Sequence, residues 1–394
     1  MTSPRILFLS HTGSLGGAEL SMLDVAEHFR DTATFALFER GPFLERLRSR
    51  EIPTRIIPAS QNLLDVQRDA RLLDAIKSIP EALRLTIRVA RMARDHDLIY
   101  ATSQKALVVG AVAGLLVDRP VVWHLHDILN EDHFSALNRT VSAQISNHLV
   151  DRVFVNSTPT MDALESCGGD SEKAEVVHYG IDAAPFDRVD EEPPSTIRQD
   201  LSLPDAPLVG VFSRLTEWKG QHVLIRALPS LPDVHALLVG DSLFQNGTEY
   251  EEKLHGLAQN LDVDDRVHFL GFRDDIPRLM KTVDIVLHTS TAPEPFGRVI
   301  VEGMLAQRPV IATRGGGAEE IIDHKHTGLL VPPSNEAELA AAVQRLLDSP
   351  DLSQTLAKEG YEHATSQFSV EEMIRKIGTR VRNLHKNYSN PTTP

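Results

Sequence analysis

The stretch ILFLSHTGSLGGAELSMLDVAEHF (6–29) opens with a wholly apolar run, Ile6 to Leu9, passes through a glycine-rich turn and continues with apolar residues at helical spacing. A strand that is apolar on both faces needs cover on both sides, so the stretch reads as buried strand, loop and helix. Short apolar runs recur at DLIYAT (97–102), VVWHLH (121–126), RVFVNS (152–157) and EVVHYG (175–180), each set off by helical or turn segments. Alternating units of this kind build a parallel sheet covered by helices.

In DRVDEEPPSTIRQDLSLPDAP (187–207) charge and proline replace apolar periodicity, and the reading takes 188–207 as a linker without a packed element. A second series follows at LVGVFSR (208–214), HALLVG (235–240), RVHFLG (266–271), DIVLHT (284–289) and PVIAT (309–313). The expected fold class is therefore α/β, with two doubly wound Rossmann-like domains, 1–187 and 208–368, facing a central cleft. Ligands of such sheets lie beyond the carboxyl ends of the strands, so the loops after each strand are where chemistry is expected.

Composition narrows the classes. A chain of 394 residues with 42% apolar content can build two cores. The formal charge of −15 argues against a nucleic-acid partner, which needs basic residues spread over a face. The single cysteine, Cys167, excludes an internal disulfide and makes the cytoplasm the expected compartment. No segment has the apolar length that spans a bilayer.

Three loops carry the candidate residues. HTGSLGGAE (11–19) places Gly13, Gly16 and Gly17 before a helix start, where backbone N–H groups can face phosphate or sugar; a plain tight turn accounts for it equally well, and neither standard nucleotide fingerprint is present. SRLTEWKG (213–220) sets Arg214 and Lys219 beside the next helix, and two cations there suit a diphosphate, although an isolated pair is more often ordinary surface. In EPFGRVIVEGMLAQRPVIAT (294–313), Glu294 lies in a Pro-bounded loop and a helix opening at Gly297 carries Glu302 in its second turn. The first N–H groups, at Phe296, Gly297 and Arg298, would form an anion site, and Glu302 would accept hydrogen bonds from a ribose. The alternative is an ordinary ion pair between Glu302 and Arg298.

These residues resemble the family 4 glycosyltransferases, whose second domain carries a glutamate pair spaced as in EPFGRVIVE after an Arg and Lys loop like RLTEWKG. GGAE (16–19), VHYGID (177–182), GGAEEII (316–322) and TGLLVPP (327–333) match in order, and the similarity covers most of the chain. The resemblance implies a retaining transfer from a nucleotide diphosphate sugar to a hydroxyl acceptor, with no metal and no resident cofactor. Arg214 and Lys219 would grip the diphosphate, Glu302 the ribose, and Glu294 with groups near Gly297 the sugar, while Gly16 and Gly17 approach from the first domain. His126 is similar to a histidine that reaches the transferred sugar, with His124 expected to point the other way. Phe272 and Arg273 in LGFRDD resemble the segment beside the base, and the last helix, about 369–388, would pack back on the first domain. The family often has glycine where Lys325 stands, so that turn is expected to differ.

Asp95 and Asp97 form a D-x-D pair without an ordered partner for a metal and read as a helix-end charge cluster. The acceptor is expected at the first-domain loops 102–104 and 126–133. Arg84, Arg88 and Arg91 share one helical face that permits peripheral contact with anionic lipid, a solvated face being the plainer reading. An epimerase acting on nucleotide sugars and a noncatalytic nucleotide-sugar binder are the competing functions.

Overall fold

The computed structural model describes residues 3–59, 72–131, 134–241 and 247–389. They fall into two units: residues 1–180 with 370–394, and residues 181–369.

Unit 1 is built on seven parallel strands: β1 (Ile6–Ser10), β2 (Ala33–Leu37), β3 (Thr54–Ile56), β4 (Leu98–Ala101), β5 (Val121–Leu125), β6 (Arg152–Val155) and β7 (Ala174–Val176), in the order β3-β2-β1-β4-β5-β6-β7. Ile6 pairs with Ala33 on one side and Leu98 on the other, so the winding reverses between β1 and β4. Alternate residues serve opposite faces. Leu7 and Leu9 meet Leu85, Val89 and Leu107 from the helices Leu72–Ala93 and Gln104–Val117. Ile6 and Phe8 meet Met22 of helix Gly17–His28 and Met373, Ile377 and Val381 of the last helix, Val370–Ser389. That last helix is also held by Arg380 on Glu175 and Tyr388 on Asp151.

Unit 2 has six parallel strands: β8 (Leu208–Phe212), β9 (His235–Val239), β10 (Val267–Phe269), β11 (Ile285–His288), β12 (Val310–Thr313) and β13 (Leu329–Val331), in the order β10-β9-β8-β11-β12-β13. Its reversal point lies between β8 and β11.

The proposed linker is not one. Residues 194–200 form a helix begun by Pro194, a residue preorganised for a first turn. Ile197 is fully buried, Arg198 donates to Thr282 O (2.7 Å) and Asp284 Oδ2 (3.0 Å), and Arg278 pairs with Glu192 and Asp200. The charges that suggested a solvated segment find partners inside unit 2, and the division falls instead at Gly180 and Ile181. Asp97 of the D-x-D pair binds the Arg5 backbone N–H and guanidinium, both at 2.9 Å, and clamps the start of β1.

Candidate functional site

At the reversal point of unit 2 the loops after β8 and β11 are tied together by backbone. Gly220 has φ +72°, and a Cβ there would stand 1.9 Å from the Thr289 carbonyl oxygen, so only glycine fits. Thr289 Oγ1 donates to Lys219 O and Thr291 N–H to Trp218 O, both at 2.8 Å. This anchoring delivers Lys219 Nζ to Glu294 Oε1 at 2.5 Å. His288, the last residue of β11, brings Nε2 to 2.9 Å from the same oxygen, and the Ser290 hydroxyl donates to it as well. From the other side Gly317 N–H donates to Glu294 O (2.9 Å), and Gly316, φ +64°, leaves only 2.0 Å between that oxygen and a would-be Cβ.

Glu294 is 7% exposed. Burial alone would raise its pKa, but the charges of Lys219 and His288 and their hydrogen bonds outweigh it and hold the carboxyl well below the usual carboxylate range. Three donors converge on Oε1; among the described residues none donates to Oε2. The sequence pointed to Glu294 and Lys219 and missed His288 and Ser290. A histidine and a serine closing the buried run IVLH-T-S, at the carboxyl end of a strand, were the available signal.

The helix Arg298–Leu305 follows Gly297, φ +104°, and no side chain caps it, while the Ile300 N–H of its first turn donates to Gly297 O at 3.0 Å. Arg298 pairs with Glu302 at 3.4 Å, the ordinary alternative, while Arg298 Nη1 is buried without a partner among the described residues. Phe296 is buried against Phe368, ring centroids 5.7 Å apart. Arg214 is exposed and makes no side-chain bond to a described residue. Phe272 is 60% exposed, whereas the Arg273 guanidinium is spent on Asp275, at 2.8 and 2.7 Å. Lys325 keeps a left-handed backbone, φ +73°, so the turn retains the conformation glycine favours.

In unit 1, Gly16 caps the helix Gly17–His28 with extended backbone and no side-chain partner. Gly13 serves packing instead: its would-be Cβ lies 2.5 Å from Arg40 backbone, and Gly41 answers from the facing side. His126 follows β5, with Nδ1 2.6 Å from the Tyr179 hydroxyl, and burial pushes its pKa down to about 3. His124 does not point the other way. Residues two apart on a strand share a face, and the two imidazoles stack at 4.2 Å. Burial, then His126, lowers the His124 pKa well below normal. Asn156, after β6, donates to Tyr179 Oη (3.0 Å) and to His126 O (3.3 Å). No motif spacing marks Asn156 or Tyr179 as a site residue, although Tyr179 lies in VHYGID. Of the expected acceptor loop, residues 132 and 133 lie outside the described residues.

Two parallel-sheet α/β domains, one presenting a lysine and a buried glutamate above a helix start, define the class of GT-B glycosyltransferases. Residues 15–184 match the model of Glycosyltransferase Family 4 and residues 195–363 that of Glycosyl transferases group 1. The chain is 30% identical over 332 residues to the D-inositol 3-phosphate glycosyltransferase of Corynebacterium urealyticum, covering 78% of this chain and 75% of that one. It is 35% identical over 167 residues to the lipopolysaccharide core biosynthesis glycosyltransferase LpsE of Rhizobium meliloti, 42% of this chain and 47% of LpsE, so the match spans about half of that relative's length. The crystal structure of Anabaena HepE in complex with UDP-glucose superposes with a TM-score of 0.87 at 38% identity, covering 96% of this chain and 99% of HepE. The chain belongs to the family 4 glycosyltransferases.

Proposed function

We propose that this chain transfers a sugar, with retention, from a uridine diphosphate sugar to a hydroxyl acceptor in glycoconjugate biosynthesis. The observation that carries the reading is the convergence of Lys219, His288 and Ser290 on buried Glu294 at the reversal point of unit 2. HepE, similar over nearly its whole length, supports uridine as the base, and LpsE and the inositol phosphate enzyme support glycoconjugate products.

In this reading Arg214 and Lys219 take the diphosphate, Lys219 exchanging one anion for another. Glu294 Oε2 accepts sugar hydroxyls, and the N–H groups at Gly297 and Arg298 face phosphate. Glu302 turns from Arg298 to the ribose, and Phe272 lies beside the base. Gly16 and Gly17 approach the donor with uncapped N–H groups, and His126 supplies a neutral imidazole to the sugar. As the bond from the anomeric carbon to phosphate oxygen breaks, negative charge grows on the leaving diphosphate, and each well-placed donor lowers that barrier by roughly 2–4 kcal/mol. The acceptor oxygen bonds to the same face and its proton passes to a phosphate oxygen, so no resident cofactor or metal takes part.

A lipid-linked acceptor is favoured by the helix Leu72–Ala93, where exposed Ile79, Leu83 and Ile87 run beside Arg84, Arg88 and Arg91. No helix among the described residues is long and apolar enough to cross a membrane, so contact would be peripheral, at a cytoplasmic face. Calorimetry with UDP, GDP and ADP, without added metal, tests the donor side: micromolar binding of UDP, lost in the Arg214→Ala, Lys219→Ala double variant, is expected. Equal binding of all three, or none, overturns the uridine reading. Cosedimentation with anionic vesicles, lost in Arg84→Glu, Arg88→Glu, tests the membrane side.

A further inference from the structure

The hydroxyl of Tyr179 sits between two nitrogens, Nδ1 of His126 at 2.6 Å and Nδ2 of Asn156 at 3.0 Å. Which way its proton points follows from the groups around Asn156. The Asn156 side-chain nitrogen also lies 3.3 Å from the His126 carbonyl oxygen, an atom that only accepts, so the amide N–H₂ must face that side. The amide oxygen then faces Thr160 Oγ1, which donates to it at 2.8 Å. Thr160 Oγ1, having given its proton to Asn156, accepts from Ser157 Oγ at 3.0 Å, and Ser157 Oγ in turn accepts the Thr160 backbone N–H at 3.2 Å. The Asn156 amide spends its two protons on the His126 carbonyl oxygen and on Tyr179 Oη, and the direction from Ser157 to Tyr179 is the same throughout. Tyr179 Oη thus accepts from Asn156, which leaves its own proton available to His126 Nδ1, 2.6 Å away.

An imidazole that accepts at Nδ1 carries its proton on Nε2 when neutral. The His126 Nε2 atom is buried and has no partner among the described residues. The His124 ring, stacked on His126 at 4.2 Å and itself bonded through Nδ1 to the Tyr100 hydroxyl at 2.9 Å, holds the His126 ring in plane. We propose that Tyr179, oriented by Asn156, fixes the single proton of His126 on Nε2, so that His126 meets the sugar as a hydrogen-bond donor; Tyr179 and Asn156 are positioning residues. The use made of that donor rests on the reading of His126 given above, whereas the proton's location does not.

The experiment reads the tautomer first and the kinetics second. In the full chain labelled with nitrogen-15 histidine, the His126 signals are assigned by their loss in His126→Asn, and the one-bond proton couplings show which ring nitrogen is protonated. The expected result is a proton on Nε2, with Nδ1 showing the shift of a hydrogen-bonded acceptor that disappears in Tyr179→Phe. In Asn156→Asp the new carboxylate accepts the Tyr179 proton, Tyr179 Oη becomes the acceptor, and the His126 proton moves to Nδ1. A wild-type proton on Nδ1 overturns the inference, as does an Nδ1 shift unchanged in Tyr179→Phe. With the tautomer reversed, kcat is expected to fall at least about tenfold, while calorimetric UDP binding is unchanged because Arg214 and Lys219 lie in the other unit. Unchanged kcat with a reversed tautomer overturns the donor role of His126 and leaves the proton assignment standing.

Discussion

The strand-end sites of the two units rest on the same sheet topology and use opposite chemistry. Unit 2 concentrates charge: a lysine, a histidine and a hydroxyl hold one buried carboxylate in its ionised form. Unit 1 is neutral, with two histidines that burial keeps unprotonated and a one-way chain of Tyr179, Asn156, Thr160 and Ser157. An ion pair can change partners, since Lys219 is attracted to any anion that displaces Glu294. A neutral chain of hydrogen bonds gains no such attraction from an incoming anion. In the proposed reading unit 2 recognises the charged part of the ligand and unit 1 makes directional contact with uncharged hydroxyls.

The contrast is broken most sharply at Glu294. Glu294→Gln keeps the shape but removes the charge, and turnover is expected to fall at least about 100-fold with UDP affinity retained; turnover within a factor of a few of wild type would remove Glu294 from the site. Gly316→Ala attacks the backbone that holds Glu294. It forces a Cβ into a contact of 2.0 Å at φ +64°, and a loss of about 1–3 kcal/mol in urea unfolding is expected.

Acid tests unit 1. The folded chain refuses a proton at His126 down to about pH 3, while the unfolded chain takes it near 6.5. Stability from this site is complete above about pH 6.5 and drains away as pH falls towards 3. His126→Gln is expected to flatten the fall in melting temperature between about pH 7 and 5; an identical slope shows that His126 is solvated. The smallest effect sits away from both networks. Lys325→Gly relieves a left-handed lysine, and a gain of up to about 1 kcal/mol is expected, with turnover unchanged.

Much of the architecture was legible because buried parallel strands announce themselves as apolar runs. β1, β4 to β6 and β8 to β12 are legible this way, and so is β7 in EVVHYG (175–180), although the strand ends at Val176. β3, the three-residue TRI at a sheet edge, has no such run; the ATFAL of β2 is interrupted by Thr34, and the LLV of β13 is too short to stand out. The 187–207 segment misled because charge and proline look alike whether solvated or paired, and the partners of Arg198 and Glu192 lie over eighty positions along the chain. At the site, Glu294 and Lys219 were legible from spacing within motifs. Asn156 acts through residues brought near by the sheet, His288 through a loop that folds back onto it at Glu294, and Tyr179 was concealed because β7 ends at Val176, leaving VHY in a loop rather than a strand. Gly13 shows the reverse error, a glycine in the right loop that serves a neighbouring turn.

The return of helix Val370–Ser389 to the unit 1 core has a consequence for biosynthesis. Unit 2 is one uninterrupted stretch of chain, residues 181–369, set within the sequence of unit 1. As the polypeptide emerges from the ribosome, unit 2 can close as soon as Ser369 is out. Unit 1, begun first, stays open along Ile6, Phe8 and Met22 until Met373, Ile377 and Val381 arrive. The half made first is completed last, and for the whole of that interval its apolar face is the surface a chaperone would have to guard.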